Sequence, residues 1–270
     1  MRPRGEVFGR PRRPQADDRI YAPPVTASDP GVSPADPWWI ESSRGAAHDF
    51  HHRVLPAPLR PTAWIHQVTR PTFVLGSSQP ADDLRSSAAM DAGWDVCRRR
   101  SGGGLVIVTP DNGVWIDLVL PSTSMLWVDD VDTSAHWVAD VWARTLRQII
   151  EGSGTRVEAH HGPMIGRDAG RRLCFAGRAS GEVMVSDHKV VGLSQRRTRD
   201  AARFQTLCLL HWDPEPVMSF GGPSLQRLAA TDLAIGWPVG VTAPTVDEVT
   251  EVFLDQLCVD RRTAEAPSVD

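Results

Sequence analysis

Lysine is nearly missing from this 270-residue chain. Of its 29 lysines and arginines, all but Lys189 are arginine, although lysine is ordinarily among the commonest residues. An Arg-biased coding composition is the simplest cause, and a surface cation makes that exchange at little cost. A site that needs a compact, flexible ammonium cannot, because a guanidinium is a planar fork of five donors. Lys189 is therefore the first position at which to expect chemistry. Long apolar runs are missing too: no stretch approaches the roughly twenty residues of a membrane helix. The four cysteines (Cys97, Cys174, Cys208 and Cys258) lie far apart with no CxxC pair. That spacing argues against a zinc site or a disulfide framework and implies a reduced, cytoplasmic setting. A strong net charge is also lacking. The value of −4 gives no overall drive toward nucleic acid or an anionic membrane.

What is present suits a globular fold: 41% hydrophobic and 23% charged residues, in a chain long enough for one large domain or two small ones. Residues 1–37 stand apart. They are rich in Pro and Arg and poor in aliphatics, and read as a disordered extension without the apolar core of a signal peptide. A single folded domain is expected over 38–262, with a disordered tail over 263–270. Within it, helices are expected over 42–53, 81–92, 133–151 and 245–259. Strands are expected over 62–68, 72–75, 95–99, 156–160, 182–185, 190–195 and 206–211. The Pro110-Asp111-Asn112-Gly113 turn is expected to join 105–109 and 114–120 as a hairpin. Strands that run together, with helices interspersed without strict βαβ alternation, indicate an α+β fold.

Three segments carry candidate chemistry. Arg98-Arg99-Arg100-Ser101-Gly102-Gly103-Gly104 joins two strands. Its glycines let backbone approach a ligand closely and aim several N–H groups at one point. With no Gly-Lys-Ser/Thr following, it is not a Walker loop. A flexible hairpin tip with solvated arginines is the other reading of the same residues. The second segment is Arg172-Leu173-Cys174-Phe175-Ala176-Gly177, and the third surrounds Lys189, fifteen residues after Cys174. A hairpin between them would bring thiol and ammonium into one pocket, where a nearby cation raises the small thiolate fraction. A cysteine in an apolar strand is more often a small buried hydrophobe. Cys97, Cys208 and Cys258 read that way. His160 and His161 read as solvated or capping residues at a strand end.

Taken in order, Val74-Leu75-Gly76-Ser77-Ser78-Gln79, the Arg98–Gly104 string and Lys189-Val190-Val191-Gly192-Leu193-Ser194-Gln195-Arg196 resemble the lipoate–protein ligase A and octanoyltransferase family, related to biotin–protein ligases. The resemblance spans roughly residues 40–260. It implies an α+β catalytic domain with a mostly antiparallel sheet, flanking helices and an apolar acyl tunnel. Gly76, Arg98, Arg99, Ser101, Gly102, Gly103, Gly104, Gly192, Ser194 and Gln195 would bind the acyl group or a nucleotide. Lys189 would point its ammonium at the acyl carbonyl oxygen or at an adenylate phosphate. An aimed donor of this kind is worth about 3–4 kcal/mol in a transition state.

The resemblance leaves two activation routes. Transferases of the family take an octanoyl or lipoyl group from a carrier thioester through an acyl-cysteine. Cys174-Phe175 resembles their nucleophile position, where ligases usually read Arg-Asn-Asp. Ligases use lipoate, ATP and Mg to form an acyl-adenylate. Either route needs no tightly bound cofactor or metal. The implied partners are lipoyl-domain proteins (glycine cleavage H protein or dehydrogenase E2 subunits) and, for the thioester route, acyl carrier protein. Two departures stand out. Thr109-Pro110-Asp111-Asn112 replaces the family's His-Asp element, and Phe204-Gln205-Thr206 replaces His-Gly-Thr/Ser. They keep a third reading open, a non-catalytic homologue that binds a lipoyl domain or an acyl ligand.

Overall fold

The computed structural model describes residues 38–228 and 230–264. The extension expected over 1–37 lies outside them. So does the tail expected over 263–270, except for residues 263 and 264, which belong to the last helix.

The elements run β1 (Trp39–Gly45), α1 (Ala47–His52), β2 (Thr62–Val68), β3 (Thr72–Leu75), α2 (Ser86–Asp91), β4 (Asp95–Arg98), β5 (Val106–Val108) and β6 (Gly113–Pro121). Then come α3 (His136–Ile149), β7 (Val157–His160), α4 (Arg167–Arg172), β8 (Glu182–Val185), β9 (His188–Arg197), β10 (Ala201–Leu209), α5 (Glu215–Phe220) and α6 (Val246–Ala264). Seven strands form one sheet in the order β1-β2-β6-β10-β9-β8-β7. Every pairing in it is antiparallel except β1 with β2. A second sheet has the order β4-β3-β5. The fold is α+β, as the order of strands and helices indicates, with the mostly antiparallel main sheet that the resemblance implies.

The central strand β6 shows how the layers are set. Its residues alternate between faces with the two-residue period of a strand. Val114, Ile116, Leu118 and Leu120 meet α3 and α6 in the larger core, where Trp142 and Phe253 pack with ring centroids 4.2 Å apart. Trp115 faces the other way, among residues of the small sheet and α1. Asp117 shares that face and is fully buried. Leu173, Phe175 and Leu209 join the small sheet in a further cluster on this side.

Several local expectations need correction. Residues 42–45 belong to β1 rather than to a helix, because parallel pairing with β2 satisfies their backbone; the helix begins only at Ala47. The helix expected over 81–92 is a 3-10 turn at Ala81–Asp83 followed by α2. The strands flanking 110–113 do not form a hairpin: β5 pairs with β3, whereas β6 pairs with β2 and β10. The turn itself is real. Asn112 Oδ1 accepts from the Thr109 N–H at 3.0 Å, and its amide donates to Ile107 O at 3.1 Å. Short helices α4 and α5 have no expected counterpart, being too brief to show helical periodicity.

Candidate active site

The glycine string is folded against two other segments by backbone contact. Gly76 follows β3 directly, with its α-carbon so close to the string that a methyl there would lie 1.8 Å from Gly103 O. A methyl on Gly104 would lie 2.6–2.7 Å from the backbone of Gly170, Arg172 and Leu173. The same approach is bonded. Gly104 N–H donates to Gly170 O at 3.1 Å, Leu105 N–H to Arg172 O at 2.9 Å, and Cys174 N–H to Leu105 O at 2.9 Å. Glycines are required here because side chains would hold the strands apart. The result puts Cys174 Sγ against Gly103, 3.7 Å from where that residue's Cβ would stand. Gly103 itself has φ +98, which an L side chain rarely adopts.

Two of the three arginines of the string, Arg98 and Arg99, are spent internally. Arg98 donates through Nη1 to Gly76 O at 2.5 Å and Gln79 O at 2.8 Å, fixing the turn after β3. Arg99 is buried and donates to Gly102 O at 2.9 Å and Gly104 O at 2.8 Å. It gives the loop its shape from inside. Ser101 Oγ lies 3.1 Å from Ser194 Oγ, which ties the string to β9. Gly192 lets the Phe175 ring lie on β9, since a methyl there would meet the ring at 2.8 Å.

Lys189 is reached from three sides. Its Nζ donates to Cys174 O at 2.8 Å and Gly177 O at 2.8 Å, and pairs with Glu182 Oε2 at 2.7 Å. The residue is 2% exposed, and the Phe175 ring lies 5.0 Å from the ammonium. An ammonium has three donors, and all three have acceptors. Lys189 therefore holds the 174–177 turn by its backbone, and the sequence expectation of an ammonium aimed at an acyl oxygen is not the geometry seen.

Beside Cys174 opens a largely apolar pocket, walled by Val106, Val108, Phe175 and Leu207. His51, Arg99, Trp115 and Gln205 also line it. Behind this polar part lies a buried network. Asp117 accepts from Trp115 Nε1 at 2.8 Å, from Arg203 Nε at 2.9 Å and from Gln205 Nε2 at 3.3 Å, with His66 Nε2 at 3.4 Å. Burial pushes the Asp117 carboxyl up, but Arg203 and His66 outweigh it and hold the group well below the usual carboxylate range. Gln205 Nε2 is also 3.3 Å from His51 Nδ1. Burial lowers the His51 pKa to about 3, so its ring is neutral near pH 7. Neither His51 nor Asp117 was singled out in the sequence; an acid inside the apolar run of β6 was the available signal.

Gln195 does not join this pocket. Its Oε1 accepts from Ser134 Oγ at 3.0 Å, and it lines a separate cavity with His136 and His161. His161 pairs with Asp140 at 3.2 Å, and His160 bonds Pro163 O at 2.9 Å, away from Cys174. Cys97 and Cys208 are core residues, and burial raises both thiols, Cys97 to about 12. Among the described residues no group of three or more His, Cys, Asp or Glu is placed to hold a metal, and no helix is long and apolar enough to cross a membrane.

The lipoyl protein ligase A/B catalytic domain matches residues 47–257. Similar solved structures include a lipoate-protein ligase A bound with ATP, at 16% identity and TM-score 0.58, with 84% of this chain and 86% of that one covered. A bipartite lipoate protein ligase studied with its E2 lipoyl domain, from Thermoplasma acidophilum, gives 14% identity and TM-score 0.58 over 79% and 75% of the two chains. A T. acidophilum structure with bound lipoic acid gives 15% and 0.55 over 79% and 77%. At these identities the likeness is one of fold. Among curated proteins no sequence matches.

Proposed function

Because the chain belongs to the lipoyl protein ligase A/B catalytic-domain family, we propose that it moves an octanoyl or lipoyl group from a carrier thioester to a lipoyl-domain lysine through an acyl-cysteine at Cys174. Transfer of a lipoyl or octanoyl group to protein is the activity of the family. The route through a thioester is our reading. One observation carries it: the Cys174 thiol stands at the wall of an apolar pocket, against Gly103 of the glycine string.

In this mechanism the acyl chain lies along Val106, Val108 and Leu207, with its carbonyl at the Cys174 end. Sγ attacks the thioester carbon. The carbon–sulfur bond to the carrier breaks, and the carrier leaves as a thiol with the proton that Cys174 gave up. The acceptor amine then attacks the acyl carbon, the bond to Sγ breaks, and the proton lost by the amine restores the Cys174 thiol. Lys189 serves both steps by holding the turn that carries the thiol. For Lys189 to donate to the acyl oxygen directly, it must release one of its three acceptors. Acyl carrier protein is the donor this reading expects, and an E2 subunit or H protein is the acceptor; a similar protein has been studied with its E2 lipoyl domain.

The second reading is ATP-dependent ligation with Mg, favoured by the similar fold solved with ATP. The two separate in one assay. Pure protein is mixed with apo-lipoyl domain and either octanoyl-carrier thioester or lipoate plus ATP, and the acceptor is weighed. We expect acceptor modification from the thioester without ATP, lost in Cys174→Ser. Modification that needs ATP and survives Cys174→Ser supports the ligase instead.

A further inference from the structure

The buried pair between Lys189 and Glu182 spans the turn that carries Cys174. Glu182 opens β8, is 2% exposed, and was not among the residues the sequence singled out. Its Oε2 accepts the Ala179 N–H at 2.6 Å and faces Lys189 Nζ at 2.7 Å. Gly181 beside it has φ +87, which closes the 179–182 turn under the carboxylate. On the other side of the ammonium lie the carbonyls of Cys174 and Gly177, at the two ends of a 3-10 turn. The Lys189 backbone is pinned as well. Its N–H donates to Ala234 O at 3.1 Å, and its carbonyl accepts from Gly236 N–H at 2.9 Å.

From this geometry we infer that Glu182 is a positioning residue for the acyl-transfer step, acting through Lys189 to fix the turn that presents the Cys174 thiol to the pocket. The inference rests on the acyl-cysteine reading above. A carbonyl oxygen alone does not neutralise an ammonium. Without Glu182 the cation is buried and unpaired, which is costly, so it sheds its proton or draws in water. Either change loosens the grip on two carbonyls. Burial pushes the Glu182 carboxyl above its ordinary range, and the neighbouring Lys189 ammonium pulls it back toward the charged form. The thiol needs this support because misplacing a reacting group by about 1 Å costs on the order of 10²-fold in rate.

Glu182→Gln keeps the shape and removes the charge. Two readouts are taken on the full chain: amide hydrogen exchange over residues 173–178, and single-turnover acylation of Cys174 by an octanoyl thioester, followed by intact mass. We expect faster exchange confined to that segment and acylation slowed on the order of 10²-fold, with thioester affinity changed less than about threefold. Glu182→Asp, which keeps the charge, should recover part of the rate. A purely structural role would not give that split between rate and affinity. Wild-type exchange or wild-type acylation in a folded Glu182→Gln overturns the inference. If that variant does not fold, Glu182→Asp takes the same readouts: a partial loss is expected from its shorter reach, and wild-type exchange and acylation overturn the inference. A wild-type protein that forms no acyl-enzyme removes the acyl-cysteine reading, and exchange alone then decides the clamp.

Discussion

The Lys189 ammonium lies 2.8 Å from the carbonyl oxygen of Cys174, so the one lysine of the chain grips the backbone of the candidate nucleophile. This relationship gives a physical reason for a lysine here in a chain whose other basic residues are arginine. Three acceptors converge on one nitrogen at 2.7–2.8 Å in a nearly closed space. A compact ammonium meets all three, whereas a guanidinium needs a wider, planar arrangement.

Lys189→Arg should therefore lose transfer rate on the order of 10²-fold, from a displaced turn. Steady-state transfer to an apo-lipoyl domain tests this. A wild-type kcat in Lys189→Arg contradicts it.

The glycines of the site should differ sharply from one another. Gly76→Ala forces backbone apart, with its methyl 1.8 Å from Gly103 O, and should cost about 1–3 kcal/mol of stability. Gly103→Ala meets both a positive φ and the Arg99 guanidinium at 2.7 Å, and should lose activity. Gly102→Ala finds nothing within 4 Å and should be nearly neutral in a urea melt. Equal effects at all three positions would refute the packing described.

Stability should fall as pH drops below about 6.5. The folded protein keeps His51 neutral down to about 3, and burial lowers the pKa of His66 too. In that window the unfolded chain binds protons that the folded protein refuses, so folding weakens as pH falls, by about 1.4 kcal/mol per pH unit for each such histidine at most. Asp117 stays ionised throughout the window, because its group is held well below the usual range. Urea midpoints at pH 7 and pH 5 measure the slope, and His51→Leu should flatten it. An unchanged slope in that variant speaks against a buried neutral His51.

Phe253→Ala should cost about 3–5 kcal/mol, because the ring is fully buried against Trp142. The loss is read as a lower unfolding midpoint. A change under about 1 kcal/mol would mean that α6 is not anchored through this contact.

Much of this fold could be read from local patterns. Val249, Phe253 and Leu257 repeat at helical spacing and are all buried on one side of α6. The turn at 110–113 was equally plain, but its consequence was not. Asn112 closes the turn locally, whereas the sheet that each flanking strand enters depends on β2, β3 and β10, distant in sequence. Residues 42–45 misled for the same reason: their partner is β2, and parallel pairing leaves no nearby trace. In the site, the glycine string, Cys174 and Lys189 were visible because each breaks the composition around it. Glu182 was hidden. One acid at a strand start looks like a solvated end until the bonds from Lys189 and Ala179 are seen. The resemblance groups Gln195 with its neighbours, yet alternation along β9 carries it to a different cavity from Ser194.

Everything proposed for this site turns on whether Cys174 carries the acyl group. The most direct measurement is the intact mass of the protein after brief exposure to an octanoyl thioester without acceptor, followed by peptide mapping. One octanoyl adduct is expected on Cys174, absent in Cys174→Ser and discharged on adding apo-lipoyl domain. An unmodified Cys174 in a protein that still transfers the acyl group at full rate would contradict it.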